Sequence, residues 1–278
     1  MAITIHRSLD SYLSSIVLPS PQSRKGENGK LLIIGGSDLF HAAGAWSLEA
    51  AARVVDMVFY SSVPSNNELI EDAFREAKRE FWSGIVVPRE DLESYLQECD
   101  AILIGPGMDR SLATQELVDR LVSNHLDKRW VIDAGALQMI SFDLLKKLKN
   151  AVITPHAGEF ERVFGQPASE LAVKEVGAHL SQLVILLKGP RDVIVHGEQI
   201  EIVSGGNAGM TKGGTGDVLA GVLAGLFTKS PAFSSAVVAS IVNKQAGERL
   251  EESRGVFFNA TDLVSVVGEE LKRVVSQS

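Results

Sequence analysis

The chain has little cysteine, few aromatic residues and no long apolar run. Only one of its 278 residues is a cysteine, Cys99, which excludes an internal disulfide and a cysteine-based metal centre. A lone cysteine indicates a reducing compartment, and we expect Cys99 to be a small buried residue at the edge of a strand. No apolar run approaches the ~18 residues of a membrane-spanning helix, and the N-terminus lacks the basic-then-apolar pattern of a signal peptide. We therefore expect a cytoplasmic protein without a membrane segment.

Positive charge is also scarce, since 27 lysines and arginines face 35 aspartates and glutamates and leave a net charge of −8. This balance argues against a general nucleic-acid or anionic-membrane surface, but it allows a local basic pocket for a small anion. No fixed-period repeat and no low-complexity linker divides the chain. We expect a single domain over residues 1–278.

Short apolar runs alternate with amphipathic stretches along the first two thirds of the chain. The predicted strands are Lys30–Ile34, Met57–Ser61, Ala101–Ile104, Trp130–Ile132, Ala151–Thr154 and Val184–Leu187. The predicted helices lie near Ile5–Ser15, Ala43–Val55, Glu68–Arg79, Leu112–Asn124, Phe142–Leu148 and Ser169–Leu180. A hairpin (Asp192–His196 and Gln199–Val203) and three C-terminal helices (Val218–Phe227, Phe233–Glu251 and Thr261–Val275) follow. Continuously apolar strands between helices predict a three-layer α/β/α fold with a mostly parallel, doubly wound sheet.

Glycine-rich or polar loops directly follow five of these strands. They are Gly35-Gly36-Ser37, Gly105-Pro106-Gly107, Asp133-Ala134-Gly135, Thr154–Glu159 and Lys188-Gly189. Ligands of doubly wound sheets bind beyond the carboxyl ends of the strands, so the loops predict a cleft at that edge. The chain has no Walker A motif, and Leu219 stands where a dinucleotide fingerprint needs its third glycine. An ordinary P-loop NTPase or Rossmann dehydrogenase is therefore a poor fit.

The densest glycine stretch, Gly205–Asp217, leads into the small apolar run Val218–Leu226. Glycines before a helix let backbone N–H groups approach a phosphate, which the helix dipole also favours. A carboxylate at that position, Asp217, predicts a base acting on a hydroxyl beside a phosphoryl group. We expect the helix start to keep Asp217 ionised near neutral pH. The alternative is that Asp217 is only the N-cap of the helix.

With these motifs in order, the chain resembles the ribokinase-like superfamily and, within it, the ADP-dependent NAD(P)H-hydrate dehydratases. The matching motifs are Lys25-Gly26, Gly35-Gly36-Ser37, Gly105-Pro106-Gly107, Asp133–Leu137, Thr154–Glu159, Leu187-Lys188-Gly189 and Gly206–Asp217. Gly213–Asp217 indicates only the superfamily, whereas Gly206–Met210 narrows it to the dehydratases. His156 points the same way, because the kinases of the superfamily usually carry Asn there. Alternatively, His156 and Glu159 form a helix cap or a metal pair.

The resemblance implies that hydrated NADH or NADPH is returned to its dihydronicotinamide form, with ADP giving AMP and phosphate. Asp217 would accept the proton of the hydroxyl, and Mg²⁺ would bridge the nucleotide phosphates through water held by Glu159. The nucleotide side would be formed by Lys188, Gly189, Pro190, Arg191, Asp192, Gly213, Gly214, Thr215 and Gly216. The hydrated cofactor would meet Ala43, Gly107, His156 and Asp217. The Ala43 position is aligned by spacing, since His41-Ala42-Ala43-Gly44 departs from the family's Gly-Ala-Pro.

Further implications concern Lys212 and the partners. Lys212 is expected either to neutralise phosphate or to be a solvated lysine. The family often occurs fused to an epimerase domain; this chain is too short for one, which implies a separate epimerase. Family likeness and the apolar residues of the last helix suggest a homo-oligomer, such as a tetramer. Two alternatives remain open: a kinase of the same fold for a vitamin precursor or sugar, and a non-catalytic nucleotide-binding regulatory protein.

Overall fold

The computed structural model describes residues 9–63, 67–69 and 83–276. The helix predicted near Ile5–Ser15 lies partly outside these residues, and its described part contains helix α1, Asp10–Leu13. The helix predicted near Glu68–Arg79 lies almost wholly outside them.

A nine-stranded sheet forms the centre of the described part of the chain, in the order β3-β2-β1-β4-β5-β6-β7-β8-β9. Its strands are β1 Lys30–Ile34, β2 Met57–Ser61, β3 Ile85–Val86, β4 Ala101–Ile104, β5 Arg129–Ile132, β6 Ala151–Ile153, β7 Leu183–Leu187, β8 Arg191–His196 and β9 Gln199–Ser204. The first seven strands pair in parallel, and β8 and β9 add an antiparallel hairpin at one edge. The predicted parallel, doubly wound sheet and its edge hairpin are therefore confirmed.

Helices cover both faces of the sheet. They are α2 His41–Ala51, α3 Leu92–Glu98, α4 Leu112–Asn124, α5 Ala134–Met139, α6 Phe142–Leu145, α7 Ala157–Phe164, α8 Glu170–His179, α9 Thr215–Phe227, α10 Ala232–Arg254 and α11 Ala260–Val275. One layer contains α1, α2, α9, α10 and α11, and the other contains α3 to α8. None of the described helices combines the length and apolarity needed to cross a bilayer.

The strands are apolar on both faces because each face meets a helical layer. In β1, Leu31 and Ile33 point to the α9 layer, and Leu32 and Ile34 point to the α4 layer. All four side chains are fully buried. This two-sided burial explains why the strands are short continuous apolar runs rather than alternating patterns.

Several details differ from the sequence prediction. Strand β3 and helices α3, α5 and α7 were not among the predicted elements, and α2 ends at Ala51 rather than near Val55. Helix α9 begins at Thr215 instead of Val218, which places Asp217 inside its first turn. Cys99 is buried two residues before β4, at the edge of a strand as expected, and burial raises the pKa of its thiol to about 12.

The apolar face of α11 packs inside the molecule. Leu263, Val267 and Val274 are at most 1% exposed and belong to the core on the α9 side of the sheet, where α11 packs on α10, α2 and α9. This face is therefore used within one chain and does not support an oligomer. The oligomeric state stays a prediction from family likeness.

Candidate active site

The loops after β1, β4 and β5 pack directly on one another at the carboxyl edge of the sheet. Gly105 has a φ of +123°, and a Cβ there would lie 1.8 Å from the carbonyl oxygen of Asp133. At Gly35 a Cβ would lie 2.4 Å from the carbonyl oxygen of Pro106. Glycine is thus required by backbone contact at both positions. Ala134, which follows Asp133 in the chain, has a positive φ of 45°. Strained backbone conformations of this kind cluster at functional sites.

A cavity of about 950 Å³ opens at this edge, beside the start of α9. Its walls come from the ends of β5 and β7, the start of α7, the segment before α9, and the middle of α10. The lining residues are Asp133, Ala134, His156, Glu159, Lys188, Gly189, Pro190, Asp192, Gly205–Ala208, Met210–Asp217, Leu219, Asn243 and Lys244. A cavity of this size matches ordinary small-molecule and cofactor sites.

The start of α9 is shaped to receive an anion. Gly214 is the N-cap residue, with a φ of +95°, and a Cβ there would lie 2.4 Å from the Trp46 ring. The Thr215 hydroxyl donates to the carbonyl of Met210 at 2.6 Å, which fixes the turn. Within the described residues, the backbone N–H groups of Gly213, Gly214 and Gly216 donate to no other backbone or side-chain group. Free N–H groups at a helix start bind phosphate readily.

Asp217 is the third residue of α9, so the N-cap interpretation is wrong, because Gly214 occupies that position. The Asp217 side chain is half-buried and opens onto the cavity. Burial and the nearby Asp133 carboxylate raise the pKa of Asp217 to about 7, against the opposing effect of Lys188. The expectation that the helix start keeps Asp217 ionised near neutral pH is corrected, because at a pKa of about 7 a large fraction of Asp217 is protonated there. Burial and neighbouring negative charge outweigh the helix dipole.

Lys188 supplies positive charge in front of this helix start. Its Nζ lies 2.7 Å from Asp133 Oδ1 and 4.0 Å from Glu159 Oε2. A Cβ placed on Gly216 would lie 3.5 Å from the same nitrogen. Burial alone would lower the pKa of Lys188, but Asp133 and Glu159 outweigh it and hold that pKa above its usual value. The ammonium is thus charged at neutral pH and faces the anion-binding turn.

His156 and Glu159 form a reciprocal cap at the start of α7. His156 Nδ1 accepts from the N–H groups of Gly158 and Glu159 at 3.0 and 3.3 Å, and Glu159 Oε2 accepts from the His156 N–H at 2.9 Å. The capping interpretation of this pair is confirmed. The remaining ring nitrogen, Nε2, lies on a side chain that is 58% exposed and lines the cavity. No three acidic, His or Cys residues of the described chain are grouped to hold a metal.

The loop after β7 is held from beneath by a buried ion pair. Asp192 Oδ1 accepts from the Gly189 N–H at 2.8 Å and lies 3.4 Å from Lys244 Nζ. Lys244 also donates to the carbonyls of Gly189 and Pro190 at 2.8 and 3.3 Å. Asp192 lines the cavity, but its carboxylate is bonded to the Gly189 N–H and paired with Lys244. Its main role is therefore to hold the loop rather than to contact a ligand. The pair fixes the shape of the cavity wall.

Arg191, expected on the nucleotide side, does not line the cavity. Its exposed guanidinium lies 3.7 Å from Glu170 Oε2, because the side chain leaves β8 on the opposite side from Asp192. Lys212 does line the cavity, but its Nζ donates to the carbonyl of Val256 and lies over the Phe258 ring. Lys212 is exposed and lines the cavity, so both expected roles of this lysine remain predictions.

Ala43 and Gly107 lie together but outside the lining of the cavity. A Cβ on Gly107 would lie 3.2 Å from the Ala43 Cβ and 2.3 Å from the Phe40 carbonyl oxygen. Helix α2, which carries Ala43, is joined to the site because the Ser47 hydroxyl donates to the carbonyl of Asp217 at 2.9 Å. The two residues therefore lie together on the α2 side of Asp217, outside the residues that line the cavity.

Sequence reasoning missed four contributors: Asp133, Trp46, Asn243 and Lys244. Asp133 stood out only as part of a loop motif, although it is 1% exposed and pairs with Lys188. Asn243 and Lys244 interrupt an otherwise small or apolar stretch of α10, and this polar pair was the available signal. Trp46 gave no signal, since its contact with Gly214 exists only in the folded chain.

The comparisons with known proteins agree on one family. The family model described as NAD(P)H-hydrate dehydratase matches residues 31–268. The chain belongs to the NAD(P)H-hydrate dehydratase family. It is 38% identical to the ADP-dependent (S)-NAD(P)H-hydrate dehydratase of Cenarchaeum symbiosum, over 90% of this chain and 91% of that protein. It is also 34% identical to the bifunctional NAD(P)H-hydrate repair enzyme Nnr of Archaeoglobus fulgidus, but it spans only 53% of that relative's length.

Solved structures show the same architecture. The ADP/ATP-dependent NAD(P)H-hydrate dehydratase of Bacillus subtilis, co-crystallised with ATP and Mg²⁺, superposes with a TM-score of 0.81 at 25% identity. That match covers 96% of this chain and 97% of the other. The ribokinase of Thermotoga maritima superposes with a TM-score of 0.58 at 10% identity, over 89% of this chain and 99% of the other, which shows the shared fold alone. The ribokinase-like fold expected from the sequence is confirmed.

Proposed function

We propose that this chain is an ADP-dependent hydro-lyase that dehydrates hydrated NADH and NADPH and so repairs nicotinamide nucleotides. The observation that carries the proposal is Asp217, a carboxylate with a pKa of about 7 in the first turn of a glycine-fronted helix. Membership of the dehydratase family and the relatives' names support the choice of substrate. A base with a pKa near the working pH is well matched to accepting a hydroxyl proton.

The reaction has two stages. Asp217 takes the proton of the C6 hydroxyl while that oxygen attacks the β-phosphorus of ADP, and the bond to the bridging oxygen breaks to release AMP. The ring nitrogen's lone pair then expels phosphate from C6, and loss of a proton from C5 restores the dihydronicotinamide. The sum is ADP and hydrated NAD(P)H giving AMP, phosphate, NAD(P)H and a proton. Phosphorylation matters because hydroxide is a poor leaving group and phosphate is a good one.

The chain's own groups stabilise the charge that develops during phosphoryl transfer. The free N–H groups of Gly213, Gly214 and Gly216 are placed to donate to the transferred phosphoryl oxygens. The Lys188 ammonium, held by Asp133 and Glu159, provides the compensating positive charge in front of them. Fixed donors in a partly dry site are among the largest contributions to catalysis. The groups that bring these donors together act by positioning: Trp46 behind Gly214 and Ser47 behind Asp217.

The carboxylate oxygens of the site fit a Mg²⁺ ion bound mainly by the nucleotide phosphates better than a metal ion coordinated entirely by protein side chains. Asp133 Oδ1 already binds Lys188. The two oxygens of Glu159 accept from the backbone N–H of His156 and from the side-chain amide of Gln138. Mg²⁺ commonly keeps its waters and binds through substrate phosphates, so Glu159 would hold it through water. When bound, the ion would neutralise negative charge on the phosphates.

We assign the two substrates to the two sides of Asp217. Lys188, Gly189, Pro190 and Gly213–Gly216 would take ADP in the cavity. His156, whose side chain is 58% exposed, and Asp217 would meet the hydrated ring, and Ala43 and Gly107 would contact the rest of that substrate. Arg191 is left out of the assignment, and Asp192 acts by holding the Gly189 loop.

We further expect a separate epimerase as functional partner and a homo-oligomeric assembly, both from family likeness. The bifunctional relatives, of whose length this chain spans about half, carry a second activity that we do not assign to this chain. A solution mass near the 29.9 kDa of one chain, measured by light scattering at micromolar concentration, would contradict the oligomer.

The test is to mix the protein with ADP, Mg²⁺ and acid-hydrated NADH and to follow the return of dihydronicotinamide absorbance. We expect AMP and phosphate in equal amounts with restored NADH, and a higher kcat/KM with ADP than with ATP. Equal or better turnover with ATP would contradict the choice of donor. No restoration, together with a stable phosphorylated vitamin precursor or sugar, would support the kinase alternative instead.

A further inference from the structure

Gln138 bridges helices α5 and α7 behind the wall of the cavity. Its side-chain nitrogen Nε2 donates to the Ala134 carbonyl at 3.1 Å and to Glu159 Oε1 at 3.2 Å, and its side-chain oxygen accepts from the Arg162 guanidinium. Ala134 and Glu159 line the cavity, whereas Gln138 does not. Gln138 therefore holds two residues of the wall without contacting the space that a ligand would fill.

The partners of Gln138 require an amide in this orientation. A guanidinium only donates hydrogen bonds, so Arg162 needs the amide oxygen, whereas the Glu159 carboxylate and the Ala134 carbonyl only accept and need the amide nitrogen. A methionine at this position would leave Glu159 Oε1 without this donor, and a glutamate would place a second negative charge beside it. The side chain of residue 138 therefore has to be both a donor and an acceptor, with the donor facing Glu159.

The Glu159 carboxylate lies among several groups that compete for it. The residue is 4% exposed, and its Oε2 accepts from the His156 N–H at 2.9 Å and lies 4.0 Å from Lys188 Nζ. Its Oε1 lies 3.5 Å from His156 Nε2, which is long for a hydrogen bond. Among the described residues, Gln138 is the side chain that donates to Oε1. Without that donor, the carboxylate would be free to turn toward His156 or Lys188.

We propose that Gln138 is a positioning residue, which sets the orientation of the Glu159 carboxylate toward a water molecule of the nucleotide-bound Mg²⁺. The inference rests on the proposed function, which gives Glu159 that water. A carboxylate accepts about four hydrogen bonds, and the His156 N–H and Gln138 use two of them, so acceptor capacity remains for water. Groups that orient the ligands of a metal site commonly change metal affinity by about 10- to 100-fold when they are removed.

The experiment measures ADP binding by calorimetry without the hydrated cofactor. The quantity compared is the Mg²⁺ gain, defined as the ratio of ADP affinity in saturating Mg²⁺ to ADP affinity without divalent metal. Gln138→Met keeps the length of the side chain but cannot donate to Glu159. It is expected to lower the Mg²⁺ gain by about 10-fold or to abolish it, with little change in ADP affinity in the absence of metal. A merely structural role would weaken ADP binding equally in both conditions.

A second variant tests whether Gln138 acts through Glu159. Glu159→Gln removes the negative charge that would hold the Mg²⁺-bound water, so its Mg²⁺ gain is expected to be lowered as well. Adding Gln138→Met to Glu159→Gln is then expected to lower the gain no further, because the group that Gln138 orients has already been replaced. A Glu159→Gln protein with the wild-type gain, or losses that add in the double variant, would overturn the proposal.

The matched control is Gln182→Met. Gln182 is also a half-buried glutamine, but its amide donates to the Lys146 carbonyl at 3.0 Å and it does not line the cavity. This variant is expected to keep the wild-type Mg²⁺ gain. A folded Gln138→Met protein with the wild-type gain overturns the proposal, and so does a wild-type protein that binds ADP equally well with and without Mg²⁺.

Arg162→Met keeps the proposal testable if Gln138→Met does not fold. Arg162 is exposed, and its removal takes away the donor that holds the amide oxygen of Gln138. The Mg²⁺ gain is expected to fall by about 2- to 10-fold, the usual effect of one hydrogen bond, and an unchanged gain would overturn the proposal.

The role of Gln138 and the proposed function fail separately, because the Mg²⁺ gain is measured without dehydration. A gain that Gln138→Met abolishes, in a protein that does not restore NADH, would contradict only the proposed function. Restoration of NADH by a protein whose Mg²⁺ gain is insensitive to Gln138→Met would contradict only the role of Gln138.

Discussion

Lys188 Nζ lies 2.7 Å from Asp133 Oδ1, and a Cβ added to Gly216 would lie 3.5 Å from the same nitrogen, so one ammonium lies between the end of β5 and the start of α9. Without it, the carboxylates of Asp133, Glu159 and Asp217 would have no positive charge among them. We expect Lys188→Met to lower kcat/KM by about 10²- to 10³-fold, the usual loss for one charge-stabilising donor.

The control for Lys188→Met is Lys174→Met, which removes an exposed lysine that pairs with Glu170 at 2.9 Å on α8. That variant is expected to keep wild-type kcat and KM, since exposed pairs contribute little. A folded Lys188→Met enzyme with at least half the wild-type kcat/KM would show that Lys188 is only structural.

Gly214 and Gly213 offer a matched pair of substitutions in the anion-binding turn. A Cβ on Gly214 meets Trp46 at 2.4 Å and the backbone has a φ of +95°, whereas a Cβ on Gly213 meets nothing within 4 Å. We expect Gly214→Ala to lower the free energy of unfolding by about 1–3 kcal/mol and to weaken ADP binding, and Gly213→Ala to change stability much less. Chemical denaturation and calorimetry measure both effects. Equal stability of the two variants would contradict the tight packing of Gly214 against Trp46.

The raised pKa of Asp217 predicts how activity depends on pH. The base works only when deprotonated, so kcat is expected to rise with pH up to about 7 and then level off. Asp133→Asn removes a nearby negative charge that raises this pKa, and should move the rise to lower pH. A profile of kcat that is flat between pH 5 and 8 in the wild-type enzyme, with chemistry shown to be rate-limiting, would contradict the assignment.

The raised pKa of Asp217 also predicts how stability depends on pH. Stability is expected to fall over the pH range in which kcat rises. The pKa of Asp217 is higher in the folded chain than its ordinary 3.8, so between about pH 4 and 7 the folded state binds more protons than the unfolded state. The contribution of Asp217 to the free energy of unfolding therefore falls as pH rises through this window, by at most about 4 kcal/mol. Water in the cavity should make the real value smaller. Asp217→Asn is expected to remove this pH dependence and to raise the melting temperature at pH 8. A variant whose melting temperature at pH 8 is unchanged or lower would contradict the raised pKa of Asp217.

Much of the fold was predictable because it depends on local signals. Runs such as Leu31–Ile34 are apolar on both faces, which identifies strands covered by helices, and the glycine loops after them indicated the edge where the site lies. Strand β3 has only two residues and carries no such signal. The start of α9 was placed three residues late, because Thr215 and Gly216 are poor helix formers and the turn is fixed by Trp46 from another helix.

Parts of the site depend on contacts between distant residues and were not predictable. Asp133 and Lys188 are 55 residues apart, and their pairing follows only from the strand order. The protonation of Asp217 was misjudged for the same reason, since the helix start was visible in the sequence while the neighbouring carboxylates were not. Arg191 matched a family position by sequence, but strand alternation in β8 turns it away from the cavity.

The central claim is that Asp217 is the catalytic base, and the most direct test is kcat of Asp217→Asn in the ADP-dependent dehydration of hydrated NADH. The amide is nearly isosteric but cannot accept the hydroxyl proton, so kcat is expected to fall by about 10²- to 10⁴-fold. ADP affinity should stay equal or increase, because a negative charge near the phosphates is removed. A folded variant that retains more than about a tenth of the wild-type kcat would contradict the assignment.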